Sequence, residues 1–130
     1  MKPSALLATA LANFRQCEID PRYHIDMEVY HEVWVDTCAV CLGGAYAAKT
    51  LGYLPNVELR IDDMPRCDER SLVALDLLRQ GQVGAAFLEL ELEAPIELEY
   101  SYPIPHYEDN PDGFKRELHT LVKTMEGAGV

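Results

Sequence analysis

The segment from Thr37 to Ala48 most limits what this chain can become. Cys38-Ala39-Val40-Cys41-Leu42-Gly43-Gly44-Ala45-Tyr46-Ala47-Ala48 runs without a charge until Lys49. A stretch that is apolar on every side has no face to offer to water, so the rest of the chain must cover it. Thr37 to Leu51 is accordingly predicted as a buried central helix, stopped by Gly52. Gly43 and Gly44 each cost about 1 kcal/mol relative to Ala inside a helix. Their presence predicts a second backbone passing close by, and Ala45, Ala47 and Ala48 extend that small-residue surface.

The remaining helices are expected around that segment. Leu6, Leu7, Ala10, Leu11 and Phe14 recur at helical spacing after Ser4, a good N-cap, and predict an amphipathic helix to about Gln16. Residues 18–36 alternate polar and aromatic side chains and are predicted as a loop with a helical turn or a short strand. Asp68 can cap a helix carrying Leu72, Val73, Leu75, Leu77 and Leu78, ended by Gly81. Two periods conflict in 82–94. Val83, Ala86, Phe87 and Leu90 fit a helix face, whereas Leu88-Glu89-Leu90-Glu91-Leu92-Glu93 alternates like a strand. A short helix to about Leu90 is favoured, then extended chain, because Pro95, Pro103 and Pro105 interrupt regular structure. Asn110-Pro111-Asp112 combines an N-cap, a proline at the first helical position and an acid near the positive end of the helix dipole. Phe114, Leu118, Leu121, Val122 and Met125 follow at helical spacing. The expected fold is mainly α, one domain over residues 1–130. Four to five helices surround an apolar central helix, with a long extended Pro/Tyr-rich segment.

Composition excludes several classes of function. With 130 residues, 48% of them hydrophobic, the chain can bury a core without metal or disulfide support. No apolar run approaches the ~20 residues of a membrane span. Asn13 and Arg15 break the N-terminal Ala/Leu segment, which lacks the pattern of a secretory signal, and a cytoplasmic location is expected. The net charge of −11 repels phosphate backbones and anionic lipid, so neither direct nucleic-acid binding nor membrane association is expected. A basic protein partner suits it better, and Glu89, Glu91, Glu93, Glu97 and Glu99 concentrate charge where such a partner would meet it.

Cys38 and Cys41 form the one C-x-x-C spacing. Three readings compete for it. Two cysteines three apart at the first turn of a helix suit thiol redox chemistry, because the dipole favours a thiolate. Asp36 opposes this by like charge, and the helical downstream segments do not match a thioredoxin-type fold. In the second reading His24, His31, Cys38 and Cys41 supply two imidazoles and two thiolates, the donor set of a structural zinc site, with Cys67 or Asp26 as substitutes. Their spacing is that of no standard finger. The leading reading makes Cys38 and Cys41 small buried side chains on a packing face, since Leu42 to Ala48 offers no base or charge partner and no polar group beyond the Tyr46 hydroxyl. The titratable cluster His24, Asp26, His31, Glu32 and Asp36 is a further candidate site. No nucleotide-binding, nucleophile-elbow or H-E-x-x-H motif occurs, and Gly81-Gln82-Val83-Gly84 is expected as a helix-to-helix turn.

Tyr23-His24-Ile25-Asp26-Met27 and Tyr30-His31, followed by Cys38-Ala39-Val40-Cys41-Leu42-Gly43-Gly44-Ala45, resemble small uncharacterised proteins of phages and bacterial prophage regions. Those proteins pair a D-M-x-x-aromatic-His segment with a C-x-V-C-L-A-G-A-like helix. Leu75 to Val83 resembles a later segment of theirs. Gly44 stands near their common Ala, and Tyr30 where Trp is common. The resemblance implies an accessory protein and no known activity. The expected function is therefore non-enzymatic protein binding, with self-association into a homodimer allowed. Zinc binding through Cys38, Cys41, His24 and His31 is the alternative, and thiol redox chemistry ranks behind it.

Overall fold

A proline at the first helical position starts the first element. In the computed structural model, which describes residues 1–130 with every side chain except that of Ile61, helix α1 spans Pro3–Ile19. Its N-cap is Lys2, with no side-chain cap, and Ser4 lies buried inside the first turn. Proline already fixes φ and lacks the N–H that stays unpaired at the first helical position, and the next one, of Ser4, donates to the Val130 carbonyl at 3.1 Å. Leu6, Leu7, Ala10, Leu11, Phe14 and Cys17 form its buried stripe.

The uncharged run does not form one helix. Cys38–Val40 is strand β3, between β1 (Tyr23–Ile25, parallel to it) and β2 (His31–Val33, antiparallel) in a sheet of order β1-β3-β2. Cys41 is extended, with φ −95° and ψ −167°, and caps α2, Leu42–Thr50. Both strand and helix here are covered on all sides, so neither shows an alternating or helical stripe. The expected helix from Thr37 to Leu51 therefore begins five residues later than its lower bound (37 to 42), and the segment 18–36 supplies two strands.

Residues Leu42 to Ala48 of α2 are all buried, and the helix packs against α1, α3, β2 and β3. At Gly44 the Tyr30 carbonyl occupies the position a Cβ would need, and that carbonyl also accepts from Cys41 N–H at 3.4 Å. The second backbone expected near the paired glycines is the loop that joins β1 to β2.

Helix α3 spans Arg66–Arg79 and begins two residues before the expected Asp68 cap (66 against 68). Pro65 is its N-cap, and Asp68 and Glu69 sit in its first turn beside the positive dipole end. Leu72, Ala74, Leu75 and Leu78 are buried. Gly81, at φ +79°, turns the chain into α4, Val83–Glu89, and no side chain would fit there because the Tyr102 backbone lies against it. Helix, not strand, thus wins the first half of 82–94. Glu91 ends the turn after α4 in left-handed conformation, φ 59°, with Leu92 N–H bonded to the Phe87 carbonyl at 2.9 Å. A non-glycine residue there costs roughly 1 kcal/mol.

The Pro/Tyr segment lies back over the core. A short 3-10 turn at Ile96–Leu98 buries Leu98, and Tyr102 N–H bonds to the Gly81 carbonyl at 2.9 Å. Tyr107 stands edge-on to Phe14 and Phe114 at 5.2 and 5.6 Å, and its hydroxyl donates to Glu18 at 2.7 Å. Helix α5, Pro111–Gly127, starts as expected, with Asn110 accepting from Gly113 N–H at 2.9 Å. It buries Phe114, Leu118, Leu121, Val122 and Met125 and packs along α1. The protein is a mainly helical single domain of five helices and a small three-stranded mixed sheet. Among the described residues, no helix is long and apolar enough to cross a membrane.

Gly44→Ala is expected to destabilise the fold by about 2 kcal/mol or more, since the Tyr30 backbone must move aside. Gly127→Ala, with nothing within 4 Å of its would-be Cβ, should be neutral or mildly stabilising. Urea midpoints at unchanged slope measure both.

Candidate functional site

The sheet decides the fate of the cysteine and histidine candidates. Paired residues share a face and neighbours along a strand alternate, so Tyr23, Cys38 and Val33, with Ile25, Val40 and His31, face the core. His24, Ala39 and Glu32 face the other way. His31 and Cys38 meet, with Sγ 3.4 Å from Nδ1 and 3.6 Å from Nε2. His24 instead lies against Trp34, ring centroids 5.0 Å apart, on the exposed face, where Trp34 Nε1–H donates to Glu32 at 3.3 Å. Cys41 sits at the cap of α2, its Sγ accepting from Gly44 N–H at 3.5 Å. The four expected zinc donors are thus split, and only His31 and Cys38 are brought together. Among the described residues no three His, Cys, Asp or Glu side chains are gathered where one metal ion could be held. The wider cluster is divided by the same alternation, since Glu32 and His31 are on opposite faces and Asp26 is engaged by the Glu28 N–H at 2.9 Å.

The three buried thiols are held in the protonated form. Burial pushes the Cys17, Cys38 and Cys41 thiols up to about 11, and at Cys41 it outweighs the hydrogen bonds from Gly44 and Gly43. The redox reading needs the opposite shift. Cys38 is a strand residue, so no helix dipole acts along its side chain as the expected first-turn position would have provided. All four cysteines are free, and Cys67 is the exposed one. Burial also lowers the pKa of His31, which makes the pair a neutral imidazole beside a neutral thiol.

A concavity lies elsewhere. A cleft of about 870 Å³ opens between the 27–30 loop, the C-terminal end of α3 and residues 104–108, with Cys41 and Phe114 at its walls. Arg79 Nε donates to Asp76 at 2.8 Å and its Nη2 to the Met27 carbonyl at 3.1 Å, which ties the loop to α3. Burial, with Asp76 adding to it, pushes the Tyr30 hydroxyl up to about 12. Sequence reasoning missed this site because its walls come from three distant segments. Its one local signal was the i, i+3 spacing of Asp76 and Arg79 on a helix.

The second feature is the exposed acidic and apolar segment 88–100, which we term the ridge. Leu88, Leu92, Ile96 and Tyr100 recur every four residues and are 76, 43, 73 and 71% exposed. Glu91, Glu93, Glu97 and Glu99 are exposed among them, and Glu91 reaches Arg70 at 2.7 Å. The carboxylates were legible in the sequence; the exposure of the leucines was not.

No family model matches the chain, and neither the curated proteins nor the solved structures provide a match.

Thiol titration of the native protein at mildly alkaline pH should show Cys67 reacting fast and Cys17, Cys38 and Cys41 only on unfolding. A second fast thiol lost on Cys41→Ser would contradict the burial argument. His31 gives a pH signature. Its folded pKa lies below its ordinary 6.5, so its contribution is fully present above that value and is lost as pH falls through the lowered folded value. Tm measured at descending pH should drop in that window, and the drop should be smaller in His31→Phe.

Proposed function

We propose that this chain is a non-catalytic accessory protein of the phage or prophage type, acting by binding a basic, amphipathic segment of another protein. The observation that carries this reading is the exposure of Leu88, Leu92, Ile96 and Tyr100 within one segment rich in exposed glutamates. Several exposed large apolar side chains in one short segment mark an interaction surface, and the interleaved carboxylates specify the sign of the partner. A helix with lysines or arginines flanking an apolar stripe complements both properties. A second copy meeting through the same ridge would set glutamate against glutamate, so self-association would use another face.

The overall charge supports the same class of partner. At −11 the protein attracts cationic surfaces and repels nucleic acid. The zinc alternative has weaker support, because its donors lie on opposite faces of the sheet or at the helix cap.

A labelled Lys/Leu amphipathic helical peptide and a scrambled peptide of equal composition test the reading by fluorescence anisotropy. The ordered peptide should bind more tightly, weaken with salt, and lose about tenfold in affinity, ~1.4 kcal/mol, against the double variant Leu92→Asp/Ile96→Asp. Equal binding of the scrambled peptide, or an unchanged double variant, would leave the ridge without a specific role.

A further inference from the structure

We propose that the cleft between the 27–30 loop, the end of α3 and residues 104–108 is a binding site for a small organic cation: an ammonium or guanidinium group carried on an apolar body. The site is separate from the ridge and does not depend on it. At about 870 Å³ the cleft has the size of a small-molecule site, larger than a bound water or ion needs. Tyr30 and Tyr107, both half-buried, contribute aromatic surface, and the half-buried Val29, Ile104 and Pro105 add apolar atoms. An apolar body with a cationic end suits such walls, because a cation is attracted to the face of an aromatic ring.

The polar groups select the sign of the ligand. Asp76 and Arg79 neutralise each other, and the guanidinium is further engaged by the Met27 carbonyl at 3.1 Å, so the pair's main task is holding the loop. The unbalanced charge belongs to Glu28 and Glu108, which stand exposed on two different walls. The net charge of −11 adds to their field. Tyr30, half-buried at the wall of the cleft, supplies a further acceptor in its hydroxyl. A ligand N–H can donate to that oxygen while its charge faces the glutamates. The Cys41 thiol brings no charge, and its burial at the wall leaves it as packing surface.

Three probes of nearly equal size and different charge test the assignment: 2-phenylethylammonium, 3-phenylpropionate and 2-phenylethanol. Titration of the full chain by NMR should show the ammonium binding about tenfold or more tighter than either analogue, with shifts centred on Tyr30, Cys41 and Tyr107. Glu28→Gln/Glu108→Gln should reduce the ammonium affinity about tenfold and leave the fold intact, as both side chains are exposed. The ridge variant Leu92→Asp/Ile96→Asp should bind the ammonium as the parent does. The proposal is overturned if the carboxylate or the alcohol binds as tightly, if the shifts map outside the cleft, or if no saturable binding is seen.

Discussion

The seat of the Tyr30 carbonyl on Gly44 is the contact on which the rest of the structure depends. It brings the loop between β1 and β2 against the start of α2, with Cys41 N–H donating to the same oxygen at 3.4 Å. From there β3 runs back through the centre of the sheet and α2 forward into the core, so one backbone approach positions both halves of the uncharged run. Arg79 secures the same loop from the other side through the Met27 carbonyl. The loop, held from two sides at its ends, forms one wall of the cleft, and residues 104–108 form another.

Polar interactions elsewhere close the fold at its periphery. Glu18, near the end of α1, receives the Tyr107 hydroxyl at 2.7 Å and the Lys115 ammonium at 2.9 Å, which joins three segments at one carboxylate. Asp20 sits between Arg22 and Lys49, and the Arg22 guanidinium, with Lys49, holds its carboxyl well below the usual carboxylate range. These pairs are partly exposed, so each contributes modestly. The interior has a different character. Cys17, Cys38 and Cys41 are neutral and serve as small apolar side chains, and His31 enters the core uncharged. What chemistry the molecule presents is on its surface, as exposed carboxylates beside exposed apolar and aromatic groups.

Legibility in the sequence followed solvent contact. Helices α1, α3 and α5 each have a wet face and a dry one, and their apolar spacing marks them. Asn110 and Pro111 marked the start of α5 through local chemistry alone. Near Leu88 the alternation imitated a strand because Leu88 and Leu92 are exposed, so period and burial disagreed. At Cys38 to Cys41 there was no period at all. Both a central strand and a central helix are covered everywhere, and the boundary between them leaves no trace in hydrophobicity.

The sequence by itself determined a mainly helical chain with an acidic exterior, a small-residue crossing at the paired glycines and a fully covered segment from Thr37 to Ala48. Those properties are local sums of charge, size and apolar spacing. Only the tertiary structure decided that this segment is half strand, that His24 and His31 face opposite ways, and that Tyr30, Asp76, Arg79 and Glu108 border one cleft. The physical reason is that strand pairing and cavity walls are made by residues far apart in the chain. A one-residue change in register would exchange the faces of the sheet, and no local pattern in a fully buried strand records which register is taken.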